Sequence, residues 1–190
     1  MNRHSLLALA GATLLFGCTS EPITTEASRV LTTTANTQGL DASIEKDLAT
    51  LRRVTAPFQQ FDVAQAAKWS AKITACMTDP GGAGGMGFHY GNVGLINGTV
   101  SVDKPQLLLY EPEKNGRLRL VAVEYIIPYT FVPRSAEPPV LFNQKFAQVD
   151  AFGLWGLHAW VWKNNPSGIF SDWNPDVNCD NTTDVAAMAH

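Results

Sequence analysis

Charge is scarce in this chain, and neither sign clusters. Only 16% of its 190 residues are charged, 14 Lys and Arg against 17 Asp and Glu, for a net charge of −3. No basic run occurs, so the electrostatic footprint of a nucleic-acid partner is missing. Histidine is sparse as well, with 4 in the chain, and none falls in an H-x-H or H-E-x-x-H arrangement that would mark a metal motif. No fixed repeat period is present. The apolar stretch at residues 6–16 is shorter than the roughly 20 residues a membrane-spanning helix takes.

That short stretch has a different use. Arg3 precedes it and residues 15–18 read LFGC, the pattern of a secretory signal that ends in a lipobox. The expectation is a signal peptide over residues 1–17 and a lipid on Cys18. The protein would then sit in the bacterial cell envelope, held to the membrane through that lipid, with a secreted soluble form as the alternative. Residues 18–40 are rich in Thr, Ser and Ala and poor in large apolar residues. Such a segment buries too little surface to offset the entropy of ordering it, so it reads as a flexible tether. Residues 180–190 read as a disordered tail. The folded domain is then 41–179, about 140 residues and enough for a core.

There are 3 cysteines. With Cys18 lipidated, Cys76 and Cys179 remain, and two cysteines in an exported protein most simply form a disulfide.

Ile44, Leu48, Leu51 and Val54 recur at helical spacing behind Asp41, and Pro57 ends that helix. A second helix is expected from an Asp62 cap, with Ala66, Trp69 and Ile73 inward, running into Cys76. The pattern then turns to strands. Residues 106–111, QLLLYE, precede Asn115-Gly116, a hairpin signal, and residues 117–127, RLRLVAVEYII, follow it. Strict alternation puts Arg117, Arg119, Val121, Val123 and Tyr125 on one face. It puts Leu118, Leu120, Ala122, Glu124 and Ile126 on the other. Residues 156–162, GLHAWVW, form a further strand. The fold class is α+β, N-terminal helices followed by a mostly antiparallel sheet.

Residues 82–87, GAGGMG, fit G-x-G-x-x-G, yet the context is wrong for a dinucleotide. A cofactor loop follows a strand and opens a helix; here a helical pattern precedes it and an aromatic, turn-rich segment follows. No Lys-Ser/Thr pair completes a nucleoside triphosphate loop. The glycines are better explained by tight turns and close backbone approach.

Candidate chemistry rests on four residues from separate segments: His89, Glu111, Glu124 and His158. Glu124 falls among apolar neighbours, and Glu111 is in phase with Leu107 and Leu109. A carboxylate on a buried face costs several kcal/mol unless paired, protonated or metal-bound. One possibility is a divalent metal, zinc, iron(II) or manganese, held by these four. Another is a metal-free pocket for a small molecule, with Tyr90 and Trp160 beside the same residues and the tryptophans as a stacking wall. A third is purely structural: Glu124 paired with Arg117, Arg119, Arg134 or a core histidine. Asp172, Asn174, Asp176 and Asn178 alternate as calcium ligands can, but lack the EF-hand glycine and terminal glutamate. Asx turns before proline explain them better.

Several motifs stand together: Cys76, then GGMGFHY (84–90), LYEP (109–112), RLRLVAVEY (117–125), LHAWVW (157–162), NPSGIF (165–170), WNP (173–175) and Cys179. As a set, over roughly residues 50–179, they resemble a family of uncharacterised bacterial exported proteins. The resemblance implies export and brings no established activity. The expected function is an envelope lipoprotein that binds a small ligand or metal in a pocket. The alternatives are a metal-dependent hydrolase or lyase using the same residues, and a non-catalytic scaffold whose tryptophan-rich surface meets a protein or glycan.

Overall fold

The computed structural model describes residues 41–182. The expected signal peptide, Cys18, the tether and residues 183–190 lie outside the described residues. No helix among the described residues is long and apolar enough to cross a membrane.

Helix α1, Ala42–Thr55, starts where Asp41 accepts a hydrogen bond from the Ser43 N–H at 3.0 Å. Glu45 in its first turn and Arg52 and Arg53 in its last complement the helix dipole. Ile44, Leu48 and Leu51 are buried as expected, but Thr55 rather than Val54 completes the face. A 3-10 turn at Ala56–Gln59 carries Pro57 and leads into α2. The second helix is shorter than its pattern. It covers only Phe61–Ala66, behind Gln60 rather than an Asp62 cap. Lys68 then takes a positive φ of 80°, which ends the helix, and the chain turns into strand β1, Ala71–Lys72.

The remaining strands are β2 Met77–Thr78, β3 Gly85–Gly91, β4 Leu107–Pro112, β5 Leu118–Pro128, β6 Val140–Leu141, β7 Gln144–Lys145, β8 Ala147–Val149 and β9 Leu154–Ala159. The main sheet runs β1-β3-β4-β5-β9-β8, with β2 also on β3, and all its pairs are antiparallel. The β4–β5 hairpin turns at Asn115-Gly116 as expected, with Gly116 at φ 77°. The architecture is α+β with a mostly antiparallel sheet.

One sheet face packs on the helices. Phe88, Tyr90, Leu108, Tyr110, Leu120, Val123, Tyr125 and Trp155 join Ile44, Leu48, Leu51 and Ala64 in one core. Buried aromatic tips find partners there: Tyr110 Oη donates to the Phe58 carbonyl, Tyr125 Oη to Val102 and Trp155 Nε1 to Val132. The other face carries Met86, Leu107, Leu109, Val121, Ala122, Ile126 and Trp160, with Val177 from the C-terminal segment.

Two irregularities decide which residues face which side. Pairing of β4 with β5 skips at Val121, since Leu109 opposes Ala122 while Tyr110 opposes Leu120. Strict alternation across 117–127 therefore fails. Leu120 lies with the helices, whereas Ala122 and Ile126, in phase with Glu124, lie on the opposite face. Such a bulge bends a strand and shifts its phase by one residue. A second shift falls at Met86 of β3, since Met77 of β2 opposes Gly87 while Thr78 opposes Gly85. Gly87 has φ 84°, and a Cβ there would come within 2.3 Å of the Tyr110 carbonyl oxygen.

The glycine-rich string thus serves backbone approach. A Cβ on Gly84 would lie 2.1 Å from the Asn174 carbonyl oxygen, and one on Gly85 2.7 Å from that of Val177. The C-terminal segment crosses β3 at this point, forming a bridge between Gly85 and Asn174. The Cys76–Cys179 disulfide then closes a loop of sequence separation 103. In the chain-entropy model, a loop of that length stabilises the fold by up to about 4.7 kcal/mol.

The strand expected at 156–162 ends at Ala159. The Val161 N–H donates back to the Ala159 carbonyl, a tight turn that changes direction. Trp162 consequently leaves the face of His158 and Trp160. It packs toward the helices, its Nε1 donating to Thr55 Oγ1 at 3.0 Å.

Candidate metal centre

Three of the four expected residues meet on the face opposite the helices. Glu124 of β5 stands directly across from His158 of β9 in the ladder. His89 of β3 reaches over β4, a separation of two strand spacings or about 10 Å between backbones. Its Nε2 lies 3.4 Å from Glu124 Oε2, and His158 Nε2 lies 3.9 Å from the same oxygen. One donor atom from each of the three residues lies within 4.8 Å of the other two, and all three residues are buried.

Each imidazole is anchored through its other nitrogen. Thr74 Oγ1 is 2.8 Å from His89 Nδ1, and Asp172 Oδ1 is 3.3 Å from His158 Nδ1. A metal-bound histidine usually has its second nitrogen held in this way, which fixes tautomer and ring orientation. His158 Nε2, pointing at Glu124, is the one buried side-chain polar atom among the described residues without a hydrogen-bond partner.

The electrostatics follow from burial. Burial pushes His89 down to about 3, with the charge on His158 adding to the effect and a backbone hydrogen bond with Gly87 opposing it. Burial likewise pushes Glu124 up, against the attraction of His158. For His158 burial is the largest single effect and lowers its pKa, but Glu124 and Asp172 together outweigh it and raise the value. The hydrogen bond to His158 holds Asp172 below the usual carboxylate range. At neutral pH His89 is an uncharged imidazole, which is the form that binds metal.

These three side chains line a cavity of about 320 Å³. Its other walls are mostly apolar, including Met77 and Met86 on one side and Ile126 and Leu154 on the other. Trp173 closes it from the C-terminal segment, and Ile73 and Phe152 stand at the rim, 43% and 54% exposed.

The remaining expected site residues lie elsewhere. Glu111 is bound to cations at the far end of β4, with Lys163 Nζ 2.5 Å from Oε2 and Arg119 Nη1 3.5 Å from Oε1. It lies four positions from Leu107, the neighbour of Glu124, about 13 Å along a strand. Tyr90 is on the helix face, its ring 4.5 Å from that of Phe61. Trp160 is buried behind His158, the two rings stacked at 6.4 Å, with Nε1 donating to the Ser171 carbonyl; it backs the site without lining the cavity. Among the described residues no arginine pairs with Glu124: Arg119 goes to Glu111 and Arg134 to Asp150.

Sequence reasoning missed Thr74 and Asp172. Thr74 stood in an expected helix, and nothing in the pattern sets it apart. Asp172 stood in the alternating acid and amide run, where Asn174 and Asn178 do form Asx turns, accepting from the Asp176 and Asp180 N–H groups.

No protein-family model, curated protein or solved structure matches the chain.

Proposed function

We propose that His89, Glu124 and His158 bind one divalent metal ion whose open positions face the apolar cavity, and that the protein uses this centre to hold and activate a small molecule. The observation that carries the reading is His158 Nε2. It is buried, has no hydrogen-bond partner and points at Glu124, while its Nδ1 is fixed by Asp172. A buried polar atom without a partner costs about 1–3 kcal/mol, and a metal ion removes that cost. The spacing is compatible: ligands on a tetrahedral ion with bonds of about 2.0–2.2 Å stand roughly 3.4 Å apart. His89 and Glu124 are already at 3.4 Å, and the other pairs close by small side-chain movements.

Two imidazoles and a carboxylate suit zinc in an open catalytic site, and equally iron(II) or manganese. Such an ion would polarise a bound carbonyl or lower the pKa of a bound water. The disulfide supports an oxidising compartment, in line with an exported protein anchored through Cys18. None of the five tryptophans is exposed, which favours a pocket over a tryptophan-rich docking surface.

The test is metal content. The full chain, exported by its own N-terminal segment and purified without a His tag, is measured by elemental mass spectrometry beside a His89→Ala/His158→Ala double variant. Near-stoichiometric metal in the wild type and none in the variant is the expected result. Absence from both, with remetallation also failing, sinks the metal reading.

A further inference from the structure

The shape of the cavity narrows what such a centre would hold. Its polar lining is His89, Glu124 and His158, their anchors Thr74 and Asp172, and Gln148 of β8; the rest of the lining is apolar. Among the described residues, the lining contains no lysine and no arginine. A phosphate or polycarboxylate would therefore bring two or more negative charges beside Glu124 and Asp172 with only the ion to neutralise them. The volume, about 320 Å³, holds roughly ten waters at about 30 Å³ each, the small end of ligand pockets. Of the exposed residues in the lining, Ile73, Ala147, Ala151 and Phe152 are apolar, while Gln148 and Asp172 are polar.

Space has also been kept free beside the carboxylate. Gly156, two residues from His158 on β9, has no positive φ to require glycine, but a Cβ there would lie 3.0 Å from Glu124 Oε1 and 3.1 Å from Val149 Cγ2. That glycine leaves room for the Glu124 carboxylate.

From these observations we infer that the cavity takes a small, predominantly apolar molecule with a single oxygen-donor head, neutral or singly charged, directed at His89, Glu124 and His158. The inference rests on the metal-centre reading for what the head meets, while the apolar body is set by the cavity walls alone.

The experiment separates the two. Straight-chain alkanoates from acetate to octanoate are titrated by calorimetry into the metal-loaded full chain, and the matching primary amides into metal-free protein. Inorganic phosphate and citrate are run as polyanionic controls. Affinity is expected to rise about fourfold per added methylene, until the cavity is filled, in both series. Phosphate and citrate are expected not to compete. Phe152→Ser and Ile73→Ser alter exposed residues and spare the fold; they should weaken the longer chains several-fold and leave metal content unchanged. Gly156→Ala should weaken every member of the series. Chain length without effect in both series, or phosphate binding as tightly as octanoate, overturns the inference. If the protein takes up no metal but the amides still show the length dependence, the metal reading falls and the apolar ligand class stands.

Discussion

Glu111 and Glu124 project from neighbouring strands toward the same side of the sheet, and both are largely covered. Their surroundings differ in one respect. Glu111 has Lys163 and Arg119 within ion-pair distance, the ordinary solution for a half-buried carboxylate. Among the described residues, Glu124 has no lysine or arginine within ion-pair distance, only two imidazoles, one of them driven to the neutral form by burial. An ion pair with a fixed cation is complete in itself. At Glu124 two imidazoles face the carboxylate, His158 Nε2 has no hydrogen-bond partner, and a divalent cation bound there, as we propose, would supply one. The comparison separates a carboxylate held by fixed cations from one that we propose binds a metal on the same face.

The largest expected effect comes from the chain segments that carry the anchoring residues. Thr74 lies two positions before Cys76, and Asp172 belongs to the segment that ends at Cys179, so the disulfide fastens both. Cys76→Ala/Cys179→Ala should lower stability to denaturant by about 2–5 kcal/mol. It should also weaken metal binding. Full metal affinity in a strongly destabilised double variant would show that the anchors hold without the crosslink.

Exchanging the two glutamates for glutamine tests the comparison itself. Glu124→Gln removes a ligand and should lower metal affinity by more than the 10- to 100-fold typical of outer partners. Glu111→Gln should leave metal affinity unchanged and cost about 1–3 kcal/mol in denaturant unfolding, because Lys163 loses its partner. Equal metal binding by both variants would erase the distinction.

Asp172→Asn and Thr74→Val probe the anchors singly. Each should cost roughly 10- to 100-fold in metal affinity, read by competition with a chelator, while thermal stability changes little.

A further prediction concerns pH dependence. His89 is held near 3 in the folded chain against 6.5 in its ordinary state. Between those values the unfolded chain takes up a proton that the folded chain refuses. The stability contributed by this residue is therefore complete above about pH 6.5 and is lost as pH falls toward 3, by up to about 1.4 kcal/mol per pH unit. Metal-free wild type should lose stability relative to His89→Gln over that range. Parallel profiles would show that His89 is not buried neutral.

The two glutamates also mark how far the sequence could be read. Its alternating strands, the Asn115-Gly116 hairpin, the helix face around Leu48 and the cysteine pair were legible because each is a local pattern with one physical cause. The second helix was not, because tertiary packing ended it at Ala66 and used Ile73 at the cavity rim instead. The phase of 117–127 was not, because the bulge at Val121 depends on how β4 pairs with β5. Glu124 was correctly singled out as a carboxylate with apolar neighbours, although Leu118 and Leu120 proved to be on the other face. Glu111 looked equivalent because Lys163 lies 52 residues away in the chain, and no local pattern announces such a partner. Thr74 and Asp172 were invisible for the same reason.

The most direct test of the central claim is anomalous diffraction from crystals grown with the metal the purified protein carries, or with zinc. The account predicts a single peak on the face opposite the helices, within about 2.0–2.2 Å of His89 Nε2, Glu124 Oε2 and His158 Nε2. An ordered water between those atoms with no anomalous signal, or a peak bound to Glu111, would contradict it.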